Sequence, residues 1–530
     1  MTSRRQFIKT AGRGMIGMGI IPMLGSRGID YRGDKSIVPD WPGEGGGFPR
    51  SSPESQGVSS KAISAFLAAA NASGISWHSF MLLRHGHVVA EGWWKPYQSQ
   101  YVHSLYSLSK SFTSTAIGFL VKEGKLDIHS KVVSFFPNDL PSAPGEHLSQ
   151  MTVRSLLTMN TGHAKDTMPA MRASKDSWVR TYLAQPVEFE PGSHFLYNTG
   201  NTYMLGAIVH QITGQTLEQY LTPRLFQPLG ITGYDWEVSP QGLNTAGYGL
   251  RVRTEDIAKL GQLYLQKGRW NGEPLLTESW VNEATSYQTA SQVNNGDWSQ
   301  GYGYQFWRCT HGFYRGDGAY GQFCIVMPEL DAVVAVTGQS PDMQQSMNII
   351  WDHIPGGMQG SALPEDAAGL AGLKKDLAGL GLPVVRGSAS GGKAVSRKKR
   401  KFVMAENDQG VQEMEFVFAD RGGRVEVKTG GGMTSLRFGW ESWETNDARE
   451  VYVLGSKDMF PMPSRIAATG AWVDERTLQV NVRMVEGIFG DRITCVFDGD
   501  TVKVGFLNSV AETAKTKTED ARKGLEGRLG

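Results

Sequence analysis

The sequence divides into two regions of different pattern: one that mixes helical and strand periodicity, over residues 40–358, and an all-β one, an antiparallel barrel or sandwich, over residues 401–510. Three observations predict this. Leu108, Phe112, Ala116, Phe119 and Leu120 form the stripe of an amphipathic helix, and the apolar run from Phe323 to Met327 reads as a strand. Beyond Phe402 apolar residues alternate strictly, as in Met414, Phe416, Phe418 and in Leu478, Val480, Val482, Met484, which is strand periodicity. Between the two patterns lies a Gly/Ser-rich and then basic stretch. At 530 residues the chain has ample material for two cores.

Residues 1–30 read as targeting. Ser3-Arg4-Arg5-Gln6-Phe7-Ile8-Lys9 resembles a twin-arginine export signal, and Met15 to Leu24 supplies a short apolar region, too short to span a bilayer. The expectation is export by the Tat machinery to the periplasm, or secretion, with no stable membrane span.

The stripe from Leu108 begins beside Ser107-Leu108-Ser109-Lys110, with Gly124 as its stop. Positions three apart share a helix face, so Lys110 lies one turn from Ser107. A serine hydroxyl needs a neighbour to take its proton, and an ammonium can do so only when burial or positive field lowers its pKa. The first turn of a helix supplies such a field, and the Ser107 N–H is placed to stabilise an oxyanion. Ser-x-x-Lys also occurs at Ser390 to Lys393 and at Ser396 to Lys399, but without an apolar stripe, so these read as linker.

Further segments accompany the first motif in order. They are Thr152 to Gly162, Glu190 to Thr199 with Tyr197, Gly247-Tyr248-Gly249-Leu250, Thr254 to Gly261, Gly301 to Gln305, and Gly316-Asp317-Gly318 before the strand at Phe323. Together they resemble the serine hydrolases related to class C β-lactamases and penicillin-binding proteins, including family VIII carboxylesterases, over most of residues 50 to 355. The resemblance implies an α/β (α+β) fold for residues 40–358, a β-lactamase/transpeptidase-like domain with an antiparallel sheet flanked by helices and a helical subdomain holding Thr152 to Tyr197. It implies Ser107 as nucleophile, with Lys110 and Tyr197 sharing its proton, the phenol pKa being lowered by the adjacent cation. The backbone N–H groups of Ser107 and Ala319 would form the oxyanion hole, and Thr199, Gly316, Asp317, Gly318 and Tyr320 would meet substrate. No cofactor is implied. Many relatives have Asn where this chain has Thr199.

The third motif of the family often places a lysine against an anionic substrate group. A literal Lys428-Thr429-Gly430 lies in the β region, so Gly316 is read as the family position and the literal match as coincidence. Gly316 offers no cation, although Arg315 is adjacent. The expected reaction is therefore hydrolysis of small-molecule esters or amides through an acyl-enzyme on Ser107, with neutral esters preferred. The alternatives are a β-lactamase or D-amino-acid peptidase and, outside enzymes, a β-lactam- or peptidoglycan-binding protein.

Other chemistries find no support. The chain has no Gly-x-Ser-x-Gly elbow, no His-Glu-x-x-His and no paired-cysteine zinc spacing, so no metal is expected. His103, His163, His194 and His311 fall near the motifs and read as hydrogen-bonded or surface residues that could also line a pocket. A formal net charge of +1 gives no pull toward nucleic acid, and Arg397 to Lys401 reads as a solvated run. Cys324 and Cys495 read as core residues, with a Cys309–Cys324 bridge open in an oxidising compartment.

Residues 359–400 are read as a helix, Leu370 to Leu380, followed by a flexible basic linker. The strands of 401–510 are separated by turns such as Arg421-Gly422-Gly423 and Asp498-Gly499-Asp500, and the region resembles the lipocalin-like appendage of some family members. Trp440, Trp443 and Trp472 would serve a docking domain, a wall or lid over the cleft, or a carbohydrate site. Residues 511–530 read as a charged tail, helical or disordered.

Overall fold

A computed structural model of the chain describes residues 47–291, 293, 296–392, 399–450, 454, 463–513 and 520–530. The twin-arginine segment, Lys393 and Ser396 lie outside the described residues. Among the described residues no helix is long and apolar enough to cross a membrane.

The first core is built on strands β1 (Ser76–Arg84), β2 (His87–Trp93), β6 (Trp307–Arg308), β7 (Tyr314–Gly318), β8 (Gln322–Met327) and β9 (Ala332–Gln339), in the antiparallel order β2-β1-β9-β8-β7-β6. A second, small sheet joins β3 (His103–Ser104), β5 (Leu250–Val252) and β4 (Asp235–Trp236) in that order. Alternation divides the large sheet into two apolar faces. Phe80, Leu82, Phe323, Ile325 and Met327 pack with Ile63, Phe66 and Leu67 of helix α1 (Ser60–Ala72). Met81, Leu83, Cys324 and Val326 face the opposite core, with helices α2 (Ser109–Lys122), α3 (Thr199–Thr213) and α4 (Thr254–Leu265). Short helices between Met168 and Leu183 make up the helical subdomain expected around Thr152 to Tyr197.

This division separates Cys309 from Cys324. Each belongs to a different core, and Cys309, Cys324 and Cys495 are all buried free thiols, so the bridge left open by the sequence does not form.

Helices α5 (Met343–His353) and α6 (Ala367–Ala378) lead into the second core. Its strands are β10 (Lys399–Met404), β11 (Val411–Ala419), β12 (Gly422–Thr429), β13 (Gly432–Trp440), β14 (Glu444–Glu450), β15 (Ser464–Trp472), β16 (Thr477–Met484), β17 (Gly490–Asp498), β18 (Thr501–Asn508) and β19 (Leu525–Leu529). The order is β13-β12-β11-β10-β19-β18-β17-β16-β15-β14, and pairing of Gly439 and Trp440 with Thr469 and Gly470 closes nine strands into a barrel. The charged tail is therefore not wholly helical or disordered: Leu525–Leu529 is a barrel strand. Placed between β10 and β18, it gives both of those edges a hydrogen-bonding partner.

The barrel interior is filled by its own side chains, among them Phe402, Phe416, Trp472 and Phe497, whose rings contact one another. Trp440 Nε1 donates to Ala419 O, and Trp443 Nε1 donates to Leu382 O, so these indoles serve packing. Lys428, at the end of β12, pairs with Glu413, which leaves the literal Lys-Thr-Gly outside the first core.

Candidate active site

Ser107 sits in a single 3-10 turn, Tyr106–Leu108, that feeds directly into α2. Tyr106 enters that turn with φ of 49°, a conformation costly for a residue with a Cβ, and its ring meets Tyr320 edge to face at 5.8 Å. One turn on, Lys110 Nζ donates to Ser107 Oγ at 3.0 Å and to Gly247 O at 2.9 Å, with Thr199 Oγ1 at 3.4 Å. The ammonium group is almost wholly buried, and burial lowers its pKa to about 7, against the opposing pull of Asp166 and Asp317. At neutral pH a large fraction of Lys110 is thus free base beside the serine.

Tyr197 completes the group. Its hydroxyl hydrogen-bonds Ser107, its ring lies 4.9 Å from Lys110 Nζ, and it stacks on Trp307 at 5.5 Å. Burial first, and the charge of Asp317 second, raise its pKa well above the usual phenol value. The adjacent cation does not produce the lowered phenol pKa that the sequence reading required. With Lys110 poised near neutrality, the phenol keeps its proton and can only relay one.

Asn198, between Tyr197 and Thr199, is the N-cap of α3: its Oδ1 accepts from Gly200 N and from both the N–H and the hydroxyl of Thr167. Thr199 Oγ1 faces Lys110, so the hydroxyl at the family's asparagine position belongs to the lysine's surroundings.

The glycines of the third motif lie against the segment that carries Ser107. A Cβ on Gly316 would lie 2.4 Å from Leu108 Cδ1 and 2.6 Å from Ser111 Oγ, and one on Gly318 would lie 2.0 Å from Leu105 O. Both therefore let β7 approach the segment from Leu105 to Ser111 closely, with Gly316 packed on α2. Arg315 and Asp317 point the other way and are buried together, Arg315 Nε donating to Asp317 Oδ2 at 3.0 Å. Arg315 also donates to Arg308 O and Cys309 Sγ and stacks over Trp298, so it cannot stand in for the missing lysine. The turn carrying Ala319 is held by Gln322, whose Nε2 donates to Ala319 O (2.9 Å) and Gly338 O (2.8 Å). Ala319 and Tyr320 are half-buried at the end of β7.

Several residues of the site were not singled out from sequence. Asp166 accepts from Met168 N and Thr199 N, and its charge acts on Lys110. Arg172 lies 4.5 Å from the Tyr248 ring and acts electrostatically on Asp166, Glu237 and Lys110. Gln305 ties α2, α3 and the helix Val153–Leu157 together: its carbonyl accepts from Ser111, its Oε1 accepts from Thr202, and its Nε2 donates to Leu157 O. The signal available was only that Gln305 and Gly247 fall inside quoted motifs. Asp166 and Arg172 had none.

The four histidines lie in other settings. His103 is hydrogen-bonded to His78, His163 to Thr161, His194 stacks on Phe189, and His311 is exposed beside Trp351. Among the described residues no group of three or more His, Cys, Asp or Glu is arranged to hold a metal ion.

The chain is 25% identical over 293 residues to a 6-aminohexanoate-dimer hydrolase of Paenarthrobacter ureafaciens, covering 50% of this chain and 73% of that protein. It is 24% identical over 231 residues to a beta-lactamase of Escherichia coli strain K12, covering 40% of this chain and 59% of that one. Among solved structures, a penicillin-binding protein homologue from Caulobacter crescentus overlaps 58% of this chain and 99% of its own, at 16% identity and a TM-score of 0.46. The family model described as Beta-lactamase matches residues 60–355, a span that takes in Ser107, Lys110, Tyr197 and Ala319. The chain therefore belongs to the beta-lactamase family, a family of serine hydrolases.

Proposed function

We propose that this protein hydrolyses ester or amide bonds of small molecules through an acyl-enzyme on Ser107. One observation carries the reading: a buried lysine, its pKa lowered to about 7, donates a 3.0 Å hydrogen bond to a half-buried serine at the head of a helix. Free-base Lys110 takes the Ser107 proton as Oγ attacks the acyl carbon, and Tyr197 relays a proton to the leaving group. The backbone N–H groups of Ser107 and Ala319 receive the oxyanion. Water then attacks the acyl carbon, and the proton returns to Oγ by the same relay. An intact Ser107, Lys110 and Tyr197 argue against a catalytically idle binding protein.

Short neutral esters are the preferred substrates. Gly316 brings no ammonium, Arg315 is committed to Asp317, and Asp166, Asp317 and Glu237 place carboxylates around the site. One observation favours a second reading, a β-lactamase or D-amino-acid peptidase: Arg172 stands partly exposed over Tyr248, within electrostatic reach of Lys110. The deciding measurement is kcat/KM for a short nitrophenyl ester against that for a cephalosporin. A ratio favouring the ester is expected. A ratio favouring the cephalosporin, lost in Arg172→Ala, would establish the second reading.

The twin-arginine pattern at Arg4 and Arg5 supports export of a folded precursor to the periplasm. Replacing both with Lys should hold activity in the cytoplasm. Unchanged periplasmic activity would exclude this route.

A further inference from the structure

The barrel touches the first core at a place with a direct line to the nucleophile. Between β16 and β17 the chain turns through Val485, Glu486, Gly487 and Ile488. Val485 packs into the same apolar cluster as Trp77, Phe80, Trp94 and Tyr97. The Glu486 carbonyl accepts from Ser104 N at 2.9 Å, and the Gly487 carbonyl accepts from Tyr97 Oη at 3.1 Å. Ser104 pairs with Arg251 of β5 along one edge, so the barrel turn lies along the other edge of β3. The nucleophile follows three residues later.

The side chain of Glu486 joins the two cores as well. It is wholly buried; Oε1 accepts from Arg465 Nη1 at 2.6 Å, and Oε2 lies 3.8 Å from Arg251 Nη1. Arg251 in turn grips Asp235 with two bonds, of 2.6 and 2.7 Å, and donates to Pro463 O at 2.9 Å. Arg251 is thus held between a carboxylate of its own small sheet and one from the barrel, and such a buried charge network keeps its geometry only while every member is matched. The sheet so fixed adjoins the segments that meet both members of the catalytic pair. Leu105 N donates to Leu250 O, placing the chain that enters Ser107, and the Gly247 carbonyl just before β5 receives Lys110 Nζ.

We infer that Glu486 is a positioning residue for Ser107 and Lys110, and that the barrel is a fixed backing without which the catalytic pair is out of register. The inference rests on the reading of Ser107 as nucleophile. Effects of misplacing reacting groups by a fraction of an ångström fall on turnover more than on binding.

The test is Glu486→Gln in the full chain, with Arg465→Ala as a second variant that removes the short bond to Glu486 Oε1, and with it the contact of Arg465 over the Tyr101 ring, while leaving Arg251 and Asp235 in place. At 25 °C, kcat and KM for a nitrophenyl ester would be measured per active site titrated with a serine-directed phosphonate, alongside thermal midpoints. Glu486→Gln should lower kcat about tenfold and Arg465→Ala about threefold, with KM within twofold of wild type. A folded Glu486→Gln protein with unchanged kcat and only a lower thermal midpoint would overturn the inference, since that is what a merely structural residue gives. Should Glu486→Gln fail to fold, an unchanged kcat in Arg465→Ala overturns it equally. Phosphonate absent from Ser107 in the wild type would strike the nucleophile reading itself, and is distinguished by appearing before any variant is made.

Discussion

The two cores of this chain differ in what they bury. Around α2 and β7 the first core encloses Lys110, Arg315 and Asp317, charged groups whose desolvation is costly and is offset only by specific partners. The barrel encloses Phe402, Met414, Phe416, Val480 and Phe497, while Arg522, just ahead of the last strand, pairs with Asp491 of β17 and with Asp520. A core that spends stability on a lysine whose pKa has fallen to about 7 is organised for proton transfer. A core filled with interlocking aromatic and aliphatic groups is organised to hold shape. On the proposed reading, chemistry falls to the first region and support to the second.

The largest effect that would break this contrast concerns Ser107. Ser107→Ala should abolish turnover and phosphonate labelling, whereas Ser390→Ala, in the linker, should leave both intact. Label found by mass spectrometry on a linker serine would move the chemistry out of the first core altogether.

Smaller but still large, Lys110→Ala and Tyr197→Phe should each lower the acylation rate about a hundredfold or more, the scale of positioned proton transfer. Because the base must be deprotonated, kcat/KM in the wild type should be about half-maximal near pH 7, level off about one unit above it, and fall toward tenfold per unit below it. The folded-state pKa of Lys110 is depressed, so the active free base is lost as pH falls through about 7. An acid limb well below pH 7, unmoved by Lys110 substitution, would assign the base role to a carboxylate such as Asp166, whose pKa burial raises.

The smallest effect on activity is expected in the barrel. Phe416→Ala removes a fully buried ring and should cost about 3–5 kcal/mol of stability. At a temperature where the variant stays folded, kcat should match wild type, because Phe416 lies in the barrel interior, apart from Glu486 and Pro463, which meet Arg251. Calorimetry with parallel kinetics separates the two quantities. A loss of kcat as large as that of Glu486→Gln would mean that the barrel acts on the site as a whole.

Local sequence determined those features whose physical basis is local. The spacing of Ser107 and Lys110 puts them one helical turn apart, and the structure joins them at 3.0 Å. Strict alternation over Leu478 to Met484 assigned one face of that strand to an interior, and all four of those residues are buried. Tertiary structure alone decided the rest, because neither burial partners nor strand neighbours are encoded by nearby residues. It brought the Gly247 carbonyl and Tyr197 to Lys110, and it set Asp166 and Arg172 beside them. It turned Gly316 against α2 and locked Arg315 onto Asp317, removing the cation that sequence adjacency had offered. It put Cys309 and Cys324 in apolar clusters on opposite faces of the large sheet, and it drew Leu525–Leu529, whose composition reads as a solvated tail, between two strands that each gain a hydrogen-bonded neighbour. Periodicity tells a residue which way to face, while only the closed topology tells it what it will meet there.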